Sequence, residues 1–310
     1  MFLVDERSKP SEVPKLAVGG QFSMTTIVIE DAQSSTPPIR LSSGNDFYTV
    51  SGRIINDRKK TFFRNNTDAV YGGTGDDQII GNNGNDYLLG EAGNDILQSG
   101  RGGFDILNGG SGNDKLYSKV GDSGDILDGM MGNDILWGYA GEDIVLGGSG
   151  NDILKILYSS SVGRSGATFY AVGGAGKDRF DFYDLSKKEN LPIHAVRVKA
   201  IEDFSAVDDL IGVYVGISQP SSFSNLRLPV NSSVRRRNFR VGTAARDRTD
   251  YFIYNGTTLY FDIDGSGPQK SVEMAFVGTG FTYKNIVTFD DTRDSLHLNS
   301  VLSPLSSQFG

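Results

Sequence analysis

The sequence predicts an all-β fold: a parallel β-roll (β-solenoid) with β-rich caps at its N- and C-terminal ends. Two observations support this prediction. A nine-residue unit occurs nine times between residues 72 and 155, with Asp at position six and an aliphatic residue at position eight. The 40 glycines of the 310-residue chain concentrate in these units, which indicates a stacked repeat rather than a disordered segment.

Each unit consists of a loop followed by a short strand. Glycine at positions one, two and four favours the left-handed conformations of a tight loop, so positions one to six are predicted to form the loop. Positions seven to nine are predicted to form a three-residue strand whose position-eight side chain points inward. Such short strands are stable only when successive turns stack and bury their aliphatic side chains. The predicted inward-facing residues are Ile79, Leu88, Leu97, Leu107, Leu116, Leu127, Leu136, Val145 and Leu154.

The position-six aspartates are predicted to form stacked pairs. Two units make one turn of such a roll, so each loop lies on the loop two units later. Carboxylates at a strand-to-strand spacing of roughly 5 Å repel each other unless a cation lies between them. The predicted pairs are Asp77–Asp95, Asp86–Asp105, Asp95–Asp114, Asp105–Asp125, Asp114–Asp134, Asp125–Asp143 and Asp134–Asp152.

Calcium is the cation that suits these loops, because it takes six to eight oxygens and accepts backbone carbonyls beside carboxylates, whereas Mg²⁺ prefers a smaller octahedron. The stacked pairs predict about seven Ca²⁺ in the roll. The candidate carboxylate ligands are Asp77, Asp86, Asp95, Asp105, Asp114, Asp125, Asp134, Asp143 and Asp152. The candidate glycines of the metal loops are Gly72, Gly75, Gly81, Gly84, Gly90, Gly93, Gly109, Gly112, Gly129, Gly132, Gly138, Gly141, Gly147 and Gly150. Sites next to the extra residues Ser99 and Ser118–Lys119 are expected to be distorted.

The unit matches the glycine-rich pattern G-G-x-G-x-D-x-U-x, and a detached tenth copy occupies Gly173–Asp181. The chain therefore resembles the RTX family of exported calcium-binding proteins. The region after the repeats is similar to that family's C-terminal cap at Ile201–Phe204, Asp209–Ile211 and Phe261–Gly267. The resemblance implies folding on calcium binding, export by the type I secretion machinery through an uncleaved C-terminal signal, and an extracellular location.

The composition divides the chain into four regions. Residues 1–23 form a polar extension that we expect to be disordered, with Met24 as the natural start. Residues 24–71 contain degenerate copies of the repeat and are interpreted as the N-terminal cap of the roll. Residues 72–181 form the roll, and residues 182–310 form a β-rich C-terminal cap and secretion region.

Several classes of protein are disfavoured by composition. A net charge of -8 argues against non-specific nucleic-acid binding. The chain has no cysteine, which excludes disulfides, thiol catalysis and thiolate metal sites. No apolar run reaches the roughly 18 residues of a membrane-spanning helix. Asp5, Glu6 and Arg7 interrupt any N-terminal signal peptide.

The catalytic motifs that we considered are absent, so the sequence predicts that the protein is not an enzyme. A zinc-protease H-E-x-x-H motif is impossible because the two histidines are His194 and His297. A hydrolase G-x-S-x-G elbow fails at Gly163–Ala167, where alanine replaces the second glycine. The GDSGD sequence at Gly121–Asp125 is in phase with the repeats, so Asp125 is a candidate ligand and Ser123 replaces a glycine.

A cluster of arginines lies in the otherwise acidic C-terminal region. It indicates either a solvated loop or the binding of an anionic polysaccharide or a membrane surface. Three functions stay open: a secreted calcium-binding protein, a membrane- or host-acting effector that forms channels, and a polysaccharide-binding accessory module. The residues of the cluster are Arg235, Arg236, Arg237 and Arg240, with Arg246 and Arg248 nearby.

Overall fold

The computed structural model describes part of the chain. The described residues are 39–40, 47–49, 53–54, 69–81, 84–100, 102–119, 124–139, 143–158, 168–184, 197–215, 228–262, 264–265, 267 and 271–290. The chain divides into two units, Met1–Pro37 and Pro38–Gly310, and all described residues lie in the second. The predictions for residues 1–23, for Met24 and for the tail after Asp290 fall outside the described residues.

Two long sheets form the walls of the molecule, and the first has eight strands. All of its neighbouring strands pair in parallel. Its strands, in spatial order, are β1 (Ile39–Arg40), β4 (Ala69–Thr74), β6 (Tyr87–Ala92), β8 (Ile106–Ser111), β10 (Ile126–Met131), β12 (Ile144–Ser149), β14 (Thr168–Ala175) and β16 (Arg197–Ile201). We call it sheet A.

The second wall, sheet B, has eleven strands. Its strands, in spatial order, are β3 (Arg53–Ile54), β2 (Phe47–Thr49), β5 (Gln78–Ile80), β7 (Ile96–Gln98), β9 (Lys115–Tyr117), β11 (Ile135–Tyr139), β13 (Ile153–Tyr158), β15 (Arg179–Asp184), β17 (Leu210–Tyr214), β23 (Ile286–Phe289) and β18 (Ser232–Ser233). Pairing is parallel from β2 to β23, and the strands at the two ends, β3 and β18, pair antiparallel. The chain alternates between the two sheets, which confirms the predicted parallel β-roll.

The core of the roll consists of stacked aliphatic side chains. Position-eight residues of neighbouring strands are in register, as Leu88 with Leu107 in sheet A and Leu116 with Leu136 in sheet B. All nine predicted inward-facing residues are fully buried. Full burial of a leucine side chain contributes roughly 2 kcal/mol, so this ladder is a main source of stability. Val70, from the degenerate copy before the first regular unit, continues it.

The prediction of three-residue strands is correct for part of sheet B and wrong for sheet A. Strands β5, β7 and β9 have three residues, whereas the sheet A strands β4, β6, β8, β10 and β12 have six. In sheet A the pairing resumes after position one, because a left-handed residue at position two returns the chain to the ladder. Glycine usually takes this conformation, but Glu91 and Met130 adopt it too, with φ of 73° and 70°.

The C-terminal region adds a small sheet and further turns of the roll. Strands β19 (Phe239–Val241), β20 (Phe252–Tyr254), β21 (Thr258–Phe261) and β22 (Val272–Phe276) form a four-stranded sheet. Residues Asn255 and Gly256 lie in the turn that joins β20 and β21, which pair antiparallel. Within the described ranges there is no α-helix, only three-residue 3-10 turns at Arg236–Asn238 and Tyr283–Asn285. No helix in these ranges could cross a membrane.

Candidate metal centre

The chain crosses between the two sheets along two edges of the roll. Edge one carries the turns from sheet A to sheet B, and each of these between β4 and β15 has three residues. Edge two carries the turns from sheet B to sheet A, whose lengths vary from four to eight residues between β5 and β12. Both extra segments, Ser99 and Ser118–Lys119, lie on edge two. Edge one contains Asp77, Asp95, Asp114, Asp134, Asp152, Asp178 and Asp209, and edge two contains Asp86, Asp105, Asp125 and Asp143.

The structure brings the predicted aspartate pairs together through hydrogen bonds. On edge one, the amide N–H of each aspartate donates to Oδ1 of the next at 2.7–2.9 Å, from Asp77 through to Asp209. On edge two, the same bonds join Asp86 through to Asp143 at 2.7–3.0 Å. One oxygen of each acceptor carboxylate therefore fixes the spacing of the turns.

On edge one, the second carboxylate oxygen, Oδ2, is not used in these bonds. Oδ2 of five aspartates is buried and has no hydrogen-bond partner. A buried charged oxygen without a partner costs several kcal/mol, so five in one row indicate that an absent group completes the edge. These aspartates are Asp95, Asp114, Asp134, Asp152 and Asp178.

Glycine at position one makes space beside this oxygen. A Cβ on Gly72 would lie 2.7 Å from Oδ2 of Asp77 and 2.6 Å from the carbonyl oxygen of Gly90. Gly90, Gly129 and Gly147 have the same relation to an edge-one carboxylate and to a carbonyl oxygen of the next turn. A carboxylate oxygen and a carbonyl oxygen therefore face one small space, which only glycine leaves open.

This donor set fits Ca²⁺. Within the described ranges, no three Asp, Glu or His side chains converge on one point, so carboxylates alone cannot complete a coordination shell. Calcium accepts backbone carbonyls beside carboxylates, and both occur at the glycine spaces of edge one. The oxygen-only character of the site also argues against zinc or copper, which prefer nitrogen and sulfur ligands.

The electrostatics of edge one match a cation site. Burial, opposed by the backbone hydrogen bond that each carboxylate accepts, raises the pKa of Asp95 and Asp134 to about 7. It raises the pKa of Asp114, Asp152 and Asp178 to about 6. Neighbouring carboxylates add to the shift at Asp95, Asp134 and Asp178. The folded roll thus penalises these charges unless a cation neutralises them.

Edge two is less regular. Ser118, one of the extra residues, donates from Oγ to Oδ2 of Asp143 at 2.7 Å, while Oδ1 accepts from the amide of Asp125 at 2.8 Å. Both carboxylate oxygens of Asp143 are therefore hydrogen-bonded. A Cβ on Gly81 would meet the carbonyl oxygen of Ser99, the other extra residue, beside Oδ2 of Asp86. The insertions thus change the donors available along edge two.

Two candidate glycines differ from the others. Gly138 faces the core, because the space beside it is occupied by the ring of Phe169 and a methyl group of Val145. The three nearest atoms are carbons and not carboxylate oxygens, and the role of Gly138 as a metal loop glycine stays a prediction. Gly141 lies outside the described residues.

The position-four glycines serve the stacking of turns. Each has a positive φ, and a Cβ on Gly93, Gly112, Gly132 or Gly150 would overlap the position-four carbonyl oxygen of the preceding edge-one turn. The same relation holds on edge two between Gly103 and Gly84. Any side chain at these positions would separate consecutive turns.

Sequence reasoning missed a second polar row on edge one. The amides of Asn94, Asn113, Asn133 and Asn151 each donate to the side-chain oxygen of the position-five residue one turn earlier, at 2.7–2.9 Å. These bonds run in the opposite direction to those of the aspartates. The sequence contains a signal for this row, because asparagine recurs at position five on edge one. On edge two, position five varies: it holds Asn85, Phe104, Gly124 and Glu142.

Three further aspartates close the edge-one row. Asp178, in the detached tenth copy, is an ordinary member of the row. At Asp209 the row ends, because Oδ2 accepts the amide of Ser205 at 2.7 Å. Asp203 accepts the amides of Gly173 and Gly174 at 3.0 and 2.6 Å. Asp203 of the I-E-D-F motif and Asp209 of the D-L-I motif therefore accept hydrogen bonds at the end of the roll.

The predicted arginine cluster lies in the C-terminal region. Arg235 precedes the 3-10 turn that holds Arg236 and Arg237, and all three side chains are exposed. Arg240 lies on β19, where its Nε donates to the carbonyl oxygen of Ala244 at 2.9 Å. The cluster is therefore split between a turn and a strand.

A comparison with family models identifies the repeats. A model described as RTX calcium-binding nonapeptide repeat (4 copies) matches residues 65–97, 99–124 and 120–154. These residues carry RTX calcium-binding nonapeptide repeats. The match begins at residue 65, inside the predicted N-terminal cap, and ends at Leu154, before the detached tenth copy of the RTX repeat. A search of curated proteins gives no match.

The raised pKa values predict how acid affects the RTX roll. An unfolded aspartate has a pKa of about 3.9, so folding without calcium takes up protons between about pH 4 and pH 7. The calcium-free roll should therefore gain stability as pH falls through this range, while protons compete with calcium for the same oxygens. Because unfolded and calcium-bound carboxylates are both ionised above about pH 5, the calcium midpoint of folding, followed by circular dichroism, should stay the same or fall between about pH 7.5 and about pH 5.5. A clear rise in the midpoint as pH falls would contradict the raised pKa values of these carboxylates in the folded roll.

Proposed function

We propose that the protein is a secreted, non-enzymatic calcium-binding protein that folds on calcium binding after type I export. One observation carries this proposal: five buried edge-one carboxylate oxygens lack a hydrogen-bond partner beside glycine-lined spaces that contain carbonyl oxygens. Bound calcium would supply positive charge to these oxygens. The remaining donors come from the turns themselves.

The chain's own residues explain why folding depends on the cation. Without it, the edge-one carboxylates must be desolvated in a row, and the many glycines lose more conformational freedom than other residues. Metal-binding free energy then becomes folding free energy. Millimolar-range affinity is typical of extracellular calcium modules, so the proposal places folding outside the cell.

The proposed ligands are the nine repeat aspartates predicted from sequence, together with carbonyl groups of the loop glycines. Edge one offers the more regular series, and Asp178 extends it by one pair beyond the pairs predicted from sequence. About seven sites stays our proposal for the roll as a whole. We expect the edge-two sites next to Ser99 and Ser118 to be the weakest.

Export and location are proposed from the class of repeat. An extracellular protein without cysteine needs another means of stabilisation, and calcium provides it. We propose the type I secretion machinery as the transient partner and residues 182–310 as the region that contains the C-terminal export signal. The limits of residues 24–71 as N-terminal cap and 72–181 as roll are proposed on the same basis.

The proposal is tested by removing calcium from the full chain. We expect a largely unfolded far-ultraviolet circular dichroism spectrum in excess chelator, and a β spectrum in calcium of about 1–10 mM. Magnesium at the same concentration is the matched control and should give little folding. The same β content in chelator and in calcium would overturn the proposal.

Binding of an anionic partner is a second candidate function, because exposed arginines occur beside a concave surface. This observation favours the polysaccharide-binding alternative over the channel-forming one, which has no membrane-crossing helix to support it in the described ranges.

A further inference from the structure

A cleft of about 320 Å³ opens between the 3-10 turn of the arginine cluster and the segment that leads into β20. Its lining includes Arg235 and Arg237 from the turn, and Thr249 and Tyr251 from the segment before β20. Leu228 and Pro229 add an apolar wall. Pockets of a few hundred Å³ with an apolar lining and a few convergent polar groups are typical ligand sites.

The two arginines are presented on a rigid backbone. The amide of Asn238 donates to the carbonyl oxygen of Arg235 at 2.8 Å, which closes the 3-10 turn. Thr249 Oγ1 donates to the carbonyl oxygen of Arg237 at 3.2 Å. The buried Asn238 donates from Nδ2 to the carbonyl oxygen of Thr249 at 3.1 Å. The two sides of the cleft are therefore bonded to each other below the arginine side chains.

The charges of Arg235 and Arg237 are not neutralised by ion pairs among the described residues. In the part of the chain that the structure describes, neither Arg235 nor Arg237 forms an ion pair, although the net charge is -8. Arg240 differs, because its guanidinium is bonded to the carbonyl oxygen of Ala244. Hydrogen bonds from Thr249, with a smaller contribution from the charge of Arg240, lower the pKa of the Asp247 carboxyl group. Two unpaired guanidinium groups at one cleft suit a bidentate oxyanion.

We propose that this cleft binds an acidic saccharide, with Arg235 and Arg237 on its carboxylate and the Tyr251 ring against the sugar. A guanidinium fork matches the planar carboxylate of a uronic acid, and the Tyr251, Leu228 and Pro229 surfaces suit the apolar face of a sugar ring. The cleft residues lie outside the repeats, so this proposal is independent of the calcium sites.

The surroundings disfavour a membrane as the occupant. Basic segments that bind anionic lipid present clustered positive charge to a flat surface. Here Asp247 lies exposed between Arg246 and Arg248, and the two arginines of the cleft line a concave site. A single acidic group held inside the cleft fits this charge pattern better than a lipid surface.

The test measures binding of a tri-uronic acid to the full chain in saturating calcium by isothermal titration calorimetry, with the neutral trisaccharide as the ligand control. Binding of the acidic sugar alone is expected. The double variant Arg235→Gln/Arg237→Gln should weaken it about tenfold or more, since a charge-assisted bidentate contact is lost. Arg236→Gln removes a neighbouring charge on the same turn that does not line the cleft, and should change the affinity less than about twofold.

Other outcomes would overturn the proposal. Equal loss in Arg236→Gln and the double variant would indicate non-specific electrostatics. Undiminished binding in the double variant would place the contact elsewhere, for example on bound calcium. Displacement by equimolar inorganic phosphate, or preferential binding to phosphatidylglycerol vesicles, would assign the cleft to another anion. Circular dichroism in calcium verifies folding, and the single variants Arg235→Gln and Arg237→Gln provide a second measurement if the double variant is unstable.

Discussion

Replacing Gly132 with alanine is expected to abolish the calcium-induced folding of the roll. Gly132 lies in an edge-one turn with φ of 137°, and its amide donates to the carbonyl oxygen of Ser149 at 2.8 Å. A Cβ there would overlap the carbonyl oxygen of Gly112 in the preceding turn. Backbone strain and overlap together should cost about 3–5 kcal/mol, which is comparable with the stability of many domains.

Gly256→Ala is the matched control for this prediction. Gly256 also has a positive φ, 112°, but no atom lies within 4 Å of the point that an alanine Cβ would occupy. This variant should therefore show only the backbone strain, about 1–3 kcal/mol. Circular dichroism in saturating calcium shows whether each variant folds, and urea unfolding measures the loss of stability in a variant that does. Equal losses for Gly132→Ala and Gly256→Ala would show that close stacking of the edge-one turns is not what requires glycine.

Asp134→Asn is expected to have opposite effects with and without calcium. The asparagine side-chain oxygen can still accept the amide of Asp114, which now bonds Oδ1 at 2.7 Å, so the spacing of the turns is kept. The buried Oδ2 of Asp134 is lost as a metal donor. The calcium midpoint of folding should rise about tenfold or more. In chelator near pH 8, the calcium-free roll should instead become more stable, because a carboxylate whose pKa burial raises to about 7 is removed.

Asp143→Asn on edge two provides the comparison. Both oxygens of Asp143 already accept hydrogen bonds, from the amide of Asp125 and from Ser118 Oγ. We expect a smaller rise in the calcium midpoint than for Asp134→Asn. Calcium titrations of the two variants, followed by circular dichroism, provide the measurement. An equal rise for both would contradict the proposed difference between the edges, and no rise for Asp134→Asn would contradict the ligand assignment itself.

The sequence predicted the roll well because its period is strict. Position eight alone identified the core from Ile79 to Leu154, since every turn repeats the same burial. Strand length was harder to predict, because glycine at positions one to three is compatible with loop and with strand. Pairing with the neighbouring turns decides between them, as Glu91 paired with Gly73 in sheet A illustrates.

The sequence predicted which residue types form the candidate metal site, but it did not predict the difference between edge one and edge two. Aspartates on both edges have the same sequence context, so position six does not distinguish Asp134 from Asp143. Position five would have separated the edges, because asparagine recurs on one of them. The arginine cleft could not be predicted from sequence, since no periodic pattern indicates that Leu228 and Tyr251 line one cleft with Arg235 and Arg237.

The turns of edge one between β4 and β15 all have three residues, whereas those of edge two vary in length. The chain can therefore gain residues on edge two but not on edge one. A residue added on edge one would shift every later carboxylate out of its row. Residues added on edge two, as at Ser99 and Ser118–Lys119, leave edge one in register. Edge two is therefore the natural side on which a foreign peptide could be displayed, at regular intervals along a calcium-stabilised rod.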